Sequence, residues 1–413
     1  MSPLGKLAIN GGAKVRTEPF PTWPIWDESD CEAVAEVVRS GQWWAMGGTK
    51  VKQFQEEFAA YCGCKHGVCV PTGTIGLMVA LKAVGVGCGD EVIVTPYTFI
   101  ASASATVQVN AVNVFVDIDP TTYNIDPARI EAAITDNTKA IMVVHIAGRP
   151  ADMDAIMEIA RRRNLKVVED CAQAHGAEWR GQRLGSFGDA GVFSFMASKN
   201  LTCGEGGIVV TNNDEVGDKA WSIHNVGRVK EGGWYEHPVM GSNYRMTEFQ
   251  GAVLLNQFKK LHAETLRRNE NANHLTDRLI KIDGITPLAR DERITMHGRH
   301  LYIMRYLSGE STGAPRERFI EALRAEGIFC NPGYLPLYKE RLFDAQTNPD
   351  LAGCPNFGKT QVYKTLCLEN AERAAYVETV WMLQSQFLGT KKDMDDIADA
   401  VEKVMENIAE LRV

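Results

Sequence analysis

Short runs of apolar, often β-branched residues alternate along the first half of the chain with longer segments whose apolar residues recur at helical spacing. Such alternation predicts βα units that build a largely parallel sheet. The runs are mostly apolar and do not alternate regularly between apolar and polar residues, as expected of strands that are buried on both faces. Seven runs are predicted to be strands: 67–70, 91–95, 112–117, 139–146, 165–170, 191–195 and 207–211.

A long helical pattern over 247–271 ends this alternation. Its apolar residues lie on one face, which predicts a helix that connects the sheet to the rest of the chain. The last segment also has the pattern of an amphipathic helix, and Thr390 and Asp393 at its start have the spacing of a capping box. The sequence therefore predicts a large α/β domain over 1–260 and a smaller α+β domain over 261–413.

Amino-acid composition and net charge exclude several classes of protein. Of the 413 residues, 45% are hydrophobic and 23% are charged, which excludes a disordered or collagen-like chain. The 44 basic and 52 acidic residues give a net charge of −8, so the chain lacks the positive field that nucleic-acid binding needs. No apolar stretch is long enough to span a membrane, and the start of the chain lacks a signal-like segment. We therefore expect a cytoplasmic protein with no membrane contact.

The ten cysteines are expected to be free thiols, because they are spread through a long chain without a Cys-x-x-Cys pair. Cys62 and Cys64 are too close in sequence for an ordinary bridge, and only His66 lies near them. We predict neither a disulfide framework nor a metal site.

Candidate functional residues follow the predicted strands, since ligands of open α/β sheets bind beyond the carboxyl ends of the strands. Gly73 and Thr74 open a helix after the first strand, and its first N–H groups could hold a phosphate. A Gly-Thr pair in this place is more often only a turn and a helix cap. Phe99 follows the second strand and offers an aromatic ring, although such a ring more often belongs to the core.

Two charged residues have both an ordinary and a chemical interpretation. Asp170 ends the fifth strand, where an aspartate is usually a turn residue or a cap. Its chemical interpretation is a buried carboxylate that faces a heteroaromatic nitrogen. Lys199 lies in the loop between the last two strands, and a loop lysine is nearly always solvated. Partial burial at this sheet edge would lower its pKa enough to make it a nucleophile toward a carbonyl.

Pyridoxal phosphate requires a set of groups that these residues could supply at one sheet edge. The set consists of N–H donors for the phosphate, a carboxylate, a lysine and an aromatic ring. Other cofactors and metals have less support. No Gly-x-Gly-x-x-Gly motif follows a strand, and the chain contains neither a phosphate-loop Gly-Lys-Ser/Thr nor a His-Glu-x-x-His motif.

Four segments resemble the DegT/DnrJ/EryC1/StrS aminotransferases, which are vitamin B6 enzymes that aminate keto-sugars and keto-cyclitols. They are VHIAGRPADMDAI (144–156), EDCAQAHGAEWRG (169–181), GSFGDAGVFSFMASKNLTCGEGG (185–207) and GSNYRMTEFQGA (241–252). The resemblance covers nearly the whole chain and implies the fold type I architecture, with a mostly parallel seven-stranded sheet between helices. Within the family, the chain looks most like the glutamine-dependent scyllo-inosose aminotransferases of aminocyclitol antibiotic pathways.

The resemblance also implies roles around the cofactor ring. Lys199 would form the Schiff base, and Asp170 would pair with the pyridinium nitrogen. Gln173 would hydrogen-bond the ring hydroxyl, and Phe99 would stack on the ring.

Further positions would hold the phosphate, namely Gly73, Thr74 and Ser194. Asn243 matches a residue that reaches the phosphate of the neighbouring subunit, which implies a homodimer with its active sites at the interface. The chain departs from the family at Thr72, which follows a proline, and at Tyr338, where many members carry a histidine.

The reaction implied is a ping-pong transamination from glutamate or glutamine to a keto-sugar or a keto-cyclitol. Loops 228–242 and 331–345 are expected to contribute walls of the substrate pocket. A related branch of the family deoxygenates sugars, but there a histidine replaces the lysine that is retained here as Lys199. A non-catalytic sensor of cofactor or sugar is the other alternative, and it would not require Lys199, Asp170 and Gln173 together.

Overall fold

The computed structural model describes residues 5–233, 235–344, 359 and 361–412. Its centre is a seven-stranded sheet with helices on both faces, which confirms the predicted fold class. Numbered along the chain, the first nine strands are β1 His66–Val70, β2 Glu91–Val94, β3 Val112–Phe115, β4 Thr138–Val144, β5 Lys166–Asp170, β6 Glu178–Trp179, β7 Gln182–Arg183, β8 Ala190–Ser194 and β9 Gly207–Thr211.

The seven strands of the central sheet are the seven predicted from sequence, in the order β1-β9-β8-β5-β4-β2-β3. Six of them run parallel, and β9 alone is antiparallel to both of its neighbours, β1 and β8. The connection from β8 to β9 contains no helix that could carry the chain back across the sheet, so the two strands run in opposite directions. The loop that contains Lys199 is this connection.

Helices cover both faces of the sheet. In chain order they are α1 Glu28–Ser40, α2 Lys50–Cys62, α3 Gly73–Ala83, α4 Ala101–Gln108, α5 Pro127–Ala133, α6 Met153–Arg163, α7 Asp214–His224, α8 Glu248–Leu279, α9 Gly309–Thr312, α10 Arg316–Ala325, α11 Glu369–Arg373 and α12 Lys391–Glu406. One face packs against α2, α6 and α8, and the other packs against α3, α4 and α7. Burial on both faces explains why the strands lack a polar alternation.

Helix α8 is longer than the pattern predicted, because it runs for 32 residues and ends at Leu279. Its first half packs Leu254 and Leu261 against the central sheet. Its second half packs Leu275 and Leu279 in a separate core with α10 and α12. A single helix therefore belongs to two cores, and it passes without a break through the domain boundary expected near residue 260.

The C-terminal part is built around a small antiparallel sheet of β10 Ile285–Pro287, β12 Leu301–Tyr306 and β13 Thr379–Leu383. A third sheet joins β11 Ile294–Met296 to β6 and β7. The predicted capping box at Thr390 is present at the start of α12.

The start of the chain packs against the C-terminal core, where Leu7 is fully buried. No described helix combines the length and the apolar character needed to cross a lipid bilayer.

Candidate active site

A cleft of about 470 Å³ lies at the carboxyl edge of the central sheet. The loops and helix starts that follow β1, β2, β5 and β8 form its walls, because these parallel strands all end at the same edge. Seven of the eight site residues predicted from sequence line it: Gly73, Thr74, Phe99, Asp170, Gln173, Ser194 and Lys199.

The amino end of α3 forms one end of the cleft. Thr72 caps this helix, and its Oγ1 accepts a hydrogen bond of 3.2 Å from the N–H of Ile75. The N–H groups of Gly73 and Thr74 donate to no other described residue, so they remain free at the positive end of the helix dipole. A Cβ atom on Gly73 would lie 2.7 Å from Cβ of Ser194, so only glycine fits between α3 and the end of β8.

Asp170, at the end of β5, also lines the cleft and is 5% exposed. Ser102 of α4 donates a hydrogen bond of 2.7 Å to Oδ2, and the N–H of Ala172 donates one of 3.1 Å to Oδ1. The hydroxyl of Ser102 also pairs with that of Thr98 at 3.1 Å. These contacts fix the orientation of the carboxylate at the end of β5.

Lys199 is 7% exposed and makes no ion pair with any described residue. Burial lowers the pKa of Lys199 to about 8, and the carboxylate of Asp170 acts in the opposite direction. At pH 7 about a tenth of such side chains are neutral, against about one in three thousand for an ordinary lysine. The neutral amine is the form that attacks carbonyl carbon atoms.

Gln173 connects the cleft to the C-terminal part of the chain. Its Oε1 accepts a hydrogen bond of 2.7 Å from the N–H of Ala147, and its Nε2 donates one of 3.0 Å to the hydroxyl of Tyr334. Tyr334 also lines the cleft, and burial raises its pKa to about 12. The side chain of Gln173 is therefore held from two directions.

Comparison with known proteins shows the family of the chain. Residues 24–381 match the DegT/DnrJ/EryC1/StrS aminotransferase family. The chain belongs to this family. It is a pyridoxal-phosphate-dependent aminotransferase, since that is the cofactor of the family.

Curated relatives extend over the same length as this aminotransferase. A protein of Streptoalloteichus tenebrarius, provisionally named L-glutamine:3-amino-2,3-dideoxy-scyllo-inosose aminotransferase, is 43% identical over 419 residues, covering 98% of this chain and 99% of the relative. The L-glutamine:scyllo-inosose aminotransferase of Streptomyces griseus is 39% identical over 424 residues, with 98% and 99% covered. Among solved structures, 3-amino-5-hydroxybenzoic acid synthase superposes with a TM-score of 0.84 at 31% identity, covering 95% of this chain and all of that one.

The residues of the cleft fit the chemistry of pyridoxal phosphate. Free N–H groups at the start of α3 suit a phosphate, and the Gly73 position is one that a Cβ atom would fill. The buried carboxylate of Asp170 suits a protonated ring nitrogen. Lys199 lines the same cleft and is buried without a partner of its own among the described residues.

Ser102, His300 and Tyr334 are among the residues of the aminotransferase cleft that the sequence analysis did not name, although Tyr334 lies in the expected pocket loop 331–345. His300 precedes β12, and its Nδ1 lies 3.2 Å from Oδ1 of Asn200, next to Lys199. Burial and the charge of Lys199 hold the pKa of His300 well below its usual range, so the ring is neutral. The sequence contains no signal for Ser102 or Tyr334 beyond a polar group in a segment of mostly apolar residues.

A second histidine supports the cleft from behind. Nε2 of His175 lies 2.9 Å from the carbonyl oxygen of Ser194, so this nitrogen carries the proton and donates it. Burial lowers the pKa of His175 to about 3. The neutral ring therefore fixes the backbone of Ser194, whose side chain lies beside Gly73.

Other predicted residues differ in their surroundings. Phe99 lines the cleft but is 54% exposed, so it is not part of the core. Asn243 is exposed and lies outside the cleft of its own chain. Tyr338 is buried, and its hydroxyl donates to Oε1 of Glu372 at 2.7 Å, so it belongs to the core of the large sheet. Of the expected pocket loops, 331–344 contributes Tyr334, and the described residues of 228–242 contribute nothing to the cleft.

A buried group of His145, Glu169 and Cys171 has the residue types of a metal site. Glu169 is already satisfied, because its carboxylate accepts hydrogen bonds from three backbone N–H groups and lies 3.3 Å from Nε2 of His145. Nδ1 of His145 accepts from the N–H of Ala151 at 3.1 Å. Burial raises the pKa of the Cys171 thiol. Glu169 and His145 therefore find their hydrogen-bond partners within the protein, and this buried network helps to hold β5 in place.

Proposed function

We propose that the protein transfers the amino group of L-glutamine to the ketone of a cyclitol of the scyllo-inosose class, in a two-stage, ping-pong reaction. The two curated relatives carry names of this chemistry and align along the full chain. The observation that carries the proposal is Lys199, a buried lysine with a pKa of about 8 that shares its cleft with the Asp170 carboxylate.

Three groups would hold the phosphate of the cofactor. The N–H groups of Gly73 and Thr74 point from the positive end of α3, and Ser194 adds a hydroxyl from the end of β8. Because the net charge of the chain is −8, this binding depends on local donors and not on a general positive field.

Asp170 and Gln173 would hold the two polar positions of the ring. The carboxylate of Asp170 would keep the ring nitrogen protonated, and the amide of Gln173 would donate to the ring hydroxyl. Phe99, exposed at the cleft wall, would cover one face of the ring. When bound, pyridoxal phosphate supplies an electron sink that stabilises negative charge at the α-carbon of the amino donor.

Lys199 would act as both nucleophile and proton carrier. As a nucleophile it would bind the cofactor covalently. Once released, its Nζ would take the proton from the α-carbon of glutamine and deliver it to the C4′ carbon of the cofactor, which is the shift that transamination requires. The burial that lowers its pKa makes the neutral, proton-accepting form available near pH 8. In the second stage the same atom would move protons in reverse for the cyclitol.

The test is turnover with defined substrates. Protein loaded with cofactor is mixed with L-glutamine labelled with ¹⁵N in the α-amino group and with scyllo-inosose, and the amino-cyclitol is measured by mass spectrometry. We expect the label in the product, and its loss in Lys199→Ala. L-Glutamate as donor and nucleotide-linked keto-sugars as acceptors are run in parallel. Transfer only to the keto-sugars would overturn the cyclitol assignment while leaving the aminotransferase intact.

The same proposal includes a homodimer in which Asn243 serves the neighbouring active site. Asn243 is exposed outside its own cleft, close in sequence to Arg245, whose guanidinium lies 5.7 Å from the exposed ring of Trp44. Oδ1 of Asn243 accepts a hydrogen bond of 3.4 Å from the N–H of Arg245, while its amide nitrogen makes no described hydrogen bond. An exposed aromatic ring near an exposed amide is typical of an interface between subunits.

Mixed dimers test this part. Lys199→Ala and Asn243→Ala chains are co-expressed, and each variant is also purified alone. If Asn243 serves the partner, each mixed dimer has one intact site, and random mixing restores about a quarter of the wild-type rate. If Asn243 serves its own chain, mixing restores nothing beyond the rate of Asn243→Ala, and the shared site is excluded.

A further inference from the structure

A second cavity of about 590 Å³ lies behind the active site, between α8 and the strands β10 to β12. It shares no lining residue with the active-site cleft. The turn at Ala147 separates the two spaces, because Ala147 lines the second cavity while its N–H binds Gln173 of the cleft. We call this cavity the arginine crease, after Arg149 and Arg299 in its wall.

Arg149 is the unusual residue of the arginine crease. It is 5% exposed, yet its guanidinium forms neither a hydrogen bond nor an ion pair with any described residue, and Nε is buried without a partner. Its charge acts on Asp291, His297 and Arg299, which all line the crease, so the guanidinium lies at the cavity wall. A buried cation without a partner destabilises the folded protein unless a bound ligand supplies the missing anion and hydrogen-bond acceptors.

Arg299 adds a second incomplete donor. Its Nε is also buried without a partner, and the described contact of its guanidinium is one hydrogen bond of 3.1 Å from Nη2 to Oδ1 of Asn273. Its backbone is left-handed, with φ of 52°, and its N–H donates to Nδ1 of His297 at 2.9 Å. His297 therefore carries its proton on Nε2, as a neutral donor in the same wall.

The carboxylates near the crease form no ion pair with these arginines, although the charges of Asp291 and Asp119 favour the charged form of Arg149 from a distance. Asp291 pairs with Arg293 at 2.8 Å, and Asp277 pairs with Arg290. Glu292 is exposed and forms no ion pair with the described residues. The nearby carboxylates thus leave the guanidinium groups of Arg149 and Arg299 without a direct anionic partner.

We propose that the arginine crease binds a small oxyanion, either a carboxylate or a phosphate ester, with Arg149 and Arg299 as its donors. A guanidinium presents N–H groups in a planar fork that matches two oxygen atoms of such a group. The cavity is large enough for a small metabolite, and its position outside the cleft makes it a site distinct from that of the cofactor and substrates.

The first test measures binding to the holoenzyme, in which the cofactor already fills the phosphate position of the active site. Inorganic phosphate and succinate are titrated separately by calorimetry at constant ionic strength, with chloride as the balancing anion. Saturable binding of phosphate alone assigns a phosphate ester, and binding of succinate alone assigns a carboxylate. If neither binds more tightly than chloride, the proposal is overturned.

Three variants test whether the anion binds at Arg149 and Arg299. Arg149→Gln and Arg299→Gln are each expected to weaken binding at least tenfold. Arg290→Gln removes the same charge from the rim of the same cavity, but its arginine already pairs with Asp277, so binding is expected to change by less than twofold. Equal losses in all three variants would show a general charge effect and contradict the assigned donors.

Thermal unfolding separates a ligand site from a structural role for Arg149. If Arg149 is kept for a ligand, Arg149→Gln removes an unpartnered buried charge, and the unfolding midpoint without added anion stays the same or rises. The same variant loses the rise in midpoint that the bound anion produces in wild type. A fall in the midpoint with anion binding retained would overturn the proposal.

Discussion

Lys199 shows how two opposing effects set the reactivity of one amine. Burial removes water from the ammonium group and favours the neutral form, while the Asp170 carboxylate favours the charged form. The balance is a pKa of about 8, so the amine is a usable base near neutral pH and still gains a proton readily. Two neutral histidines, His175 and His300, surround this site without adding positive charge.

The first prediction concerns the pH dependence of cofactor attachment to the apoenzyme. Covalent attachment requires the neutral amine, and the folded-state pKa of Lys199 is lowered, so the neutral fraction rises with pH and levels off above about 8. The attachment rate, followed by stopped-flow absorbance between pH 6 and about pH 10, is expected to follow this curve. A rate that still rises steeply between pH 9 and 10 would contradict it.

A second prediction concerns Ser102, which positions the Asp170 carboxylate. Ser102→Ala removes the 2.7 Å hydrogen bond to Oδ2 and is expected to weaken cofactor binding by about 0.5–1.5 kcal/mol, which is roughly two- to twelvefold in Kd. Ser104→Ala on the same helix is the control, because no hydrogen bond of the Ser104 side chain is described. Equilibrium dialysis against the cofactor measures both, and equal effects would exclude the positioning role.

At the scale of elements, the position of α3 against β8 decides whether an anion fits. The free N–H groups lie at the first turn of the helix, and the helix approaches β8 closely because Gly73 lacks a side chain. The first turn of α3 can therefore bind an anion only while the close spacing between α3 and β8 is kept.

We predict that Gly73→Ala disrupts this spacing. The added Cβ would meet Cβ of Ser194 at 2.7 Å, so α3 or β8 must shift, with a loss of about 1–3 kcal/mol in the free energy of unfolding and at least a tenfold rise in cofactor Kd. Gly87→Ala is the matched control, since nothing lies within 4 Å of its added Cβ. Denaturant unfolding and cofactor titration measure the two quantities; an unchanged cofactor affinity in Gly73→Ala would refute the close-approach argument.

Elements also show what the sequence could and could not predict. The strands were predictable because burial on both faces leaves mostly apolar runs without a polar alternation. The site residues that follow them were predictable from their position at strand ends. The end of α8 was not, because Asn271 and Asn273 interrupt the apolar stripe before Leu275 and Leu279 resume it in another core.

The missed site residues have a related cause. His300 and Tyr334 reach the cleft from segments more than a hundred residues away from Lys199, and only the packing of the two parts brings them together. Ser102 resembles any small polar residue of a buried helix until its partner Asp170 is placed. The direction of β9 could likewise not be predicted, because an apolar run looks the same in a parallel and in an antiparallel strand.

At the scale of the whole molecule, hydrogen bonds and a buried ion pair join the first and last segments of the described chain. Glu326, which follows α10, is fully buried, and it accepts hydrogen bonds from the N–H groups of Ala8 and Val15. Nζ of Lys403 in α12 lies 2.9 Å from Oε2 of Glu326 and also donates to the carbonyl of Ala13. One buried ion pair thus joins three distant segments.

Removing this carboxylate is expected to destabilise the protein strongly. Glu326→Gln leaves Lys403 as a buried cation without its counterion and should lower the free energy of unfolding by about 3–5 kcal/mol. Glu32→Gln, which breaks an exposed pair with Arg39, should change it by less than about 0.5 kcal/mol.

Equilibrium denaturation in urea compares the two, with Glu326→Gln combined with Lys403→Met as a further variant. This double variant should recover part of the loss, because no unpaired charge remains. A Glu326→Gln protein as stable as Glu32→Gln would show that the buried pair does not fasten the segments.

The antiparallel strand β9 has a consequence for how the enzyme moves. It places Lys199 in a connection whose two ends are both anchored in the interior of the sheet, where Phe195 and Gly206 are joined by a backbone hydrogen bond of 2.8 Å. Amide hydrogens beside the reactive amine should therefore exchange with solvent only through the opening that also releases β8 and β9. We therefore expect the loop that carries Lys199 to open only together with these two interior strands.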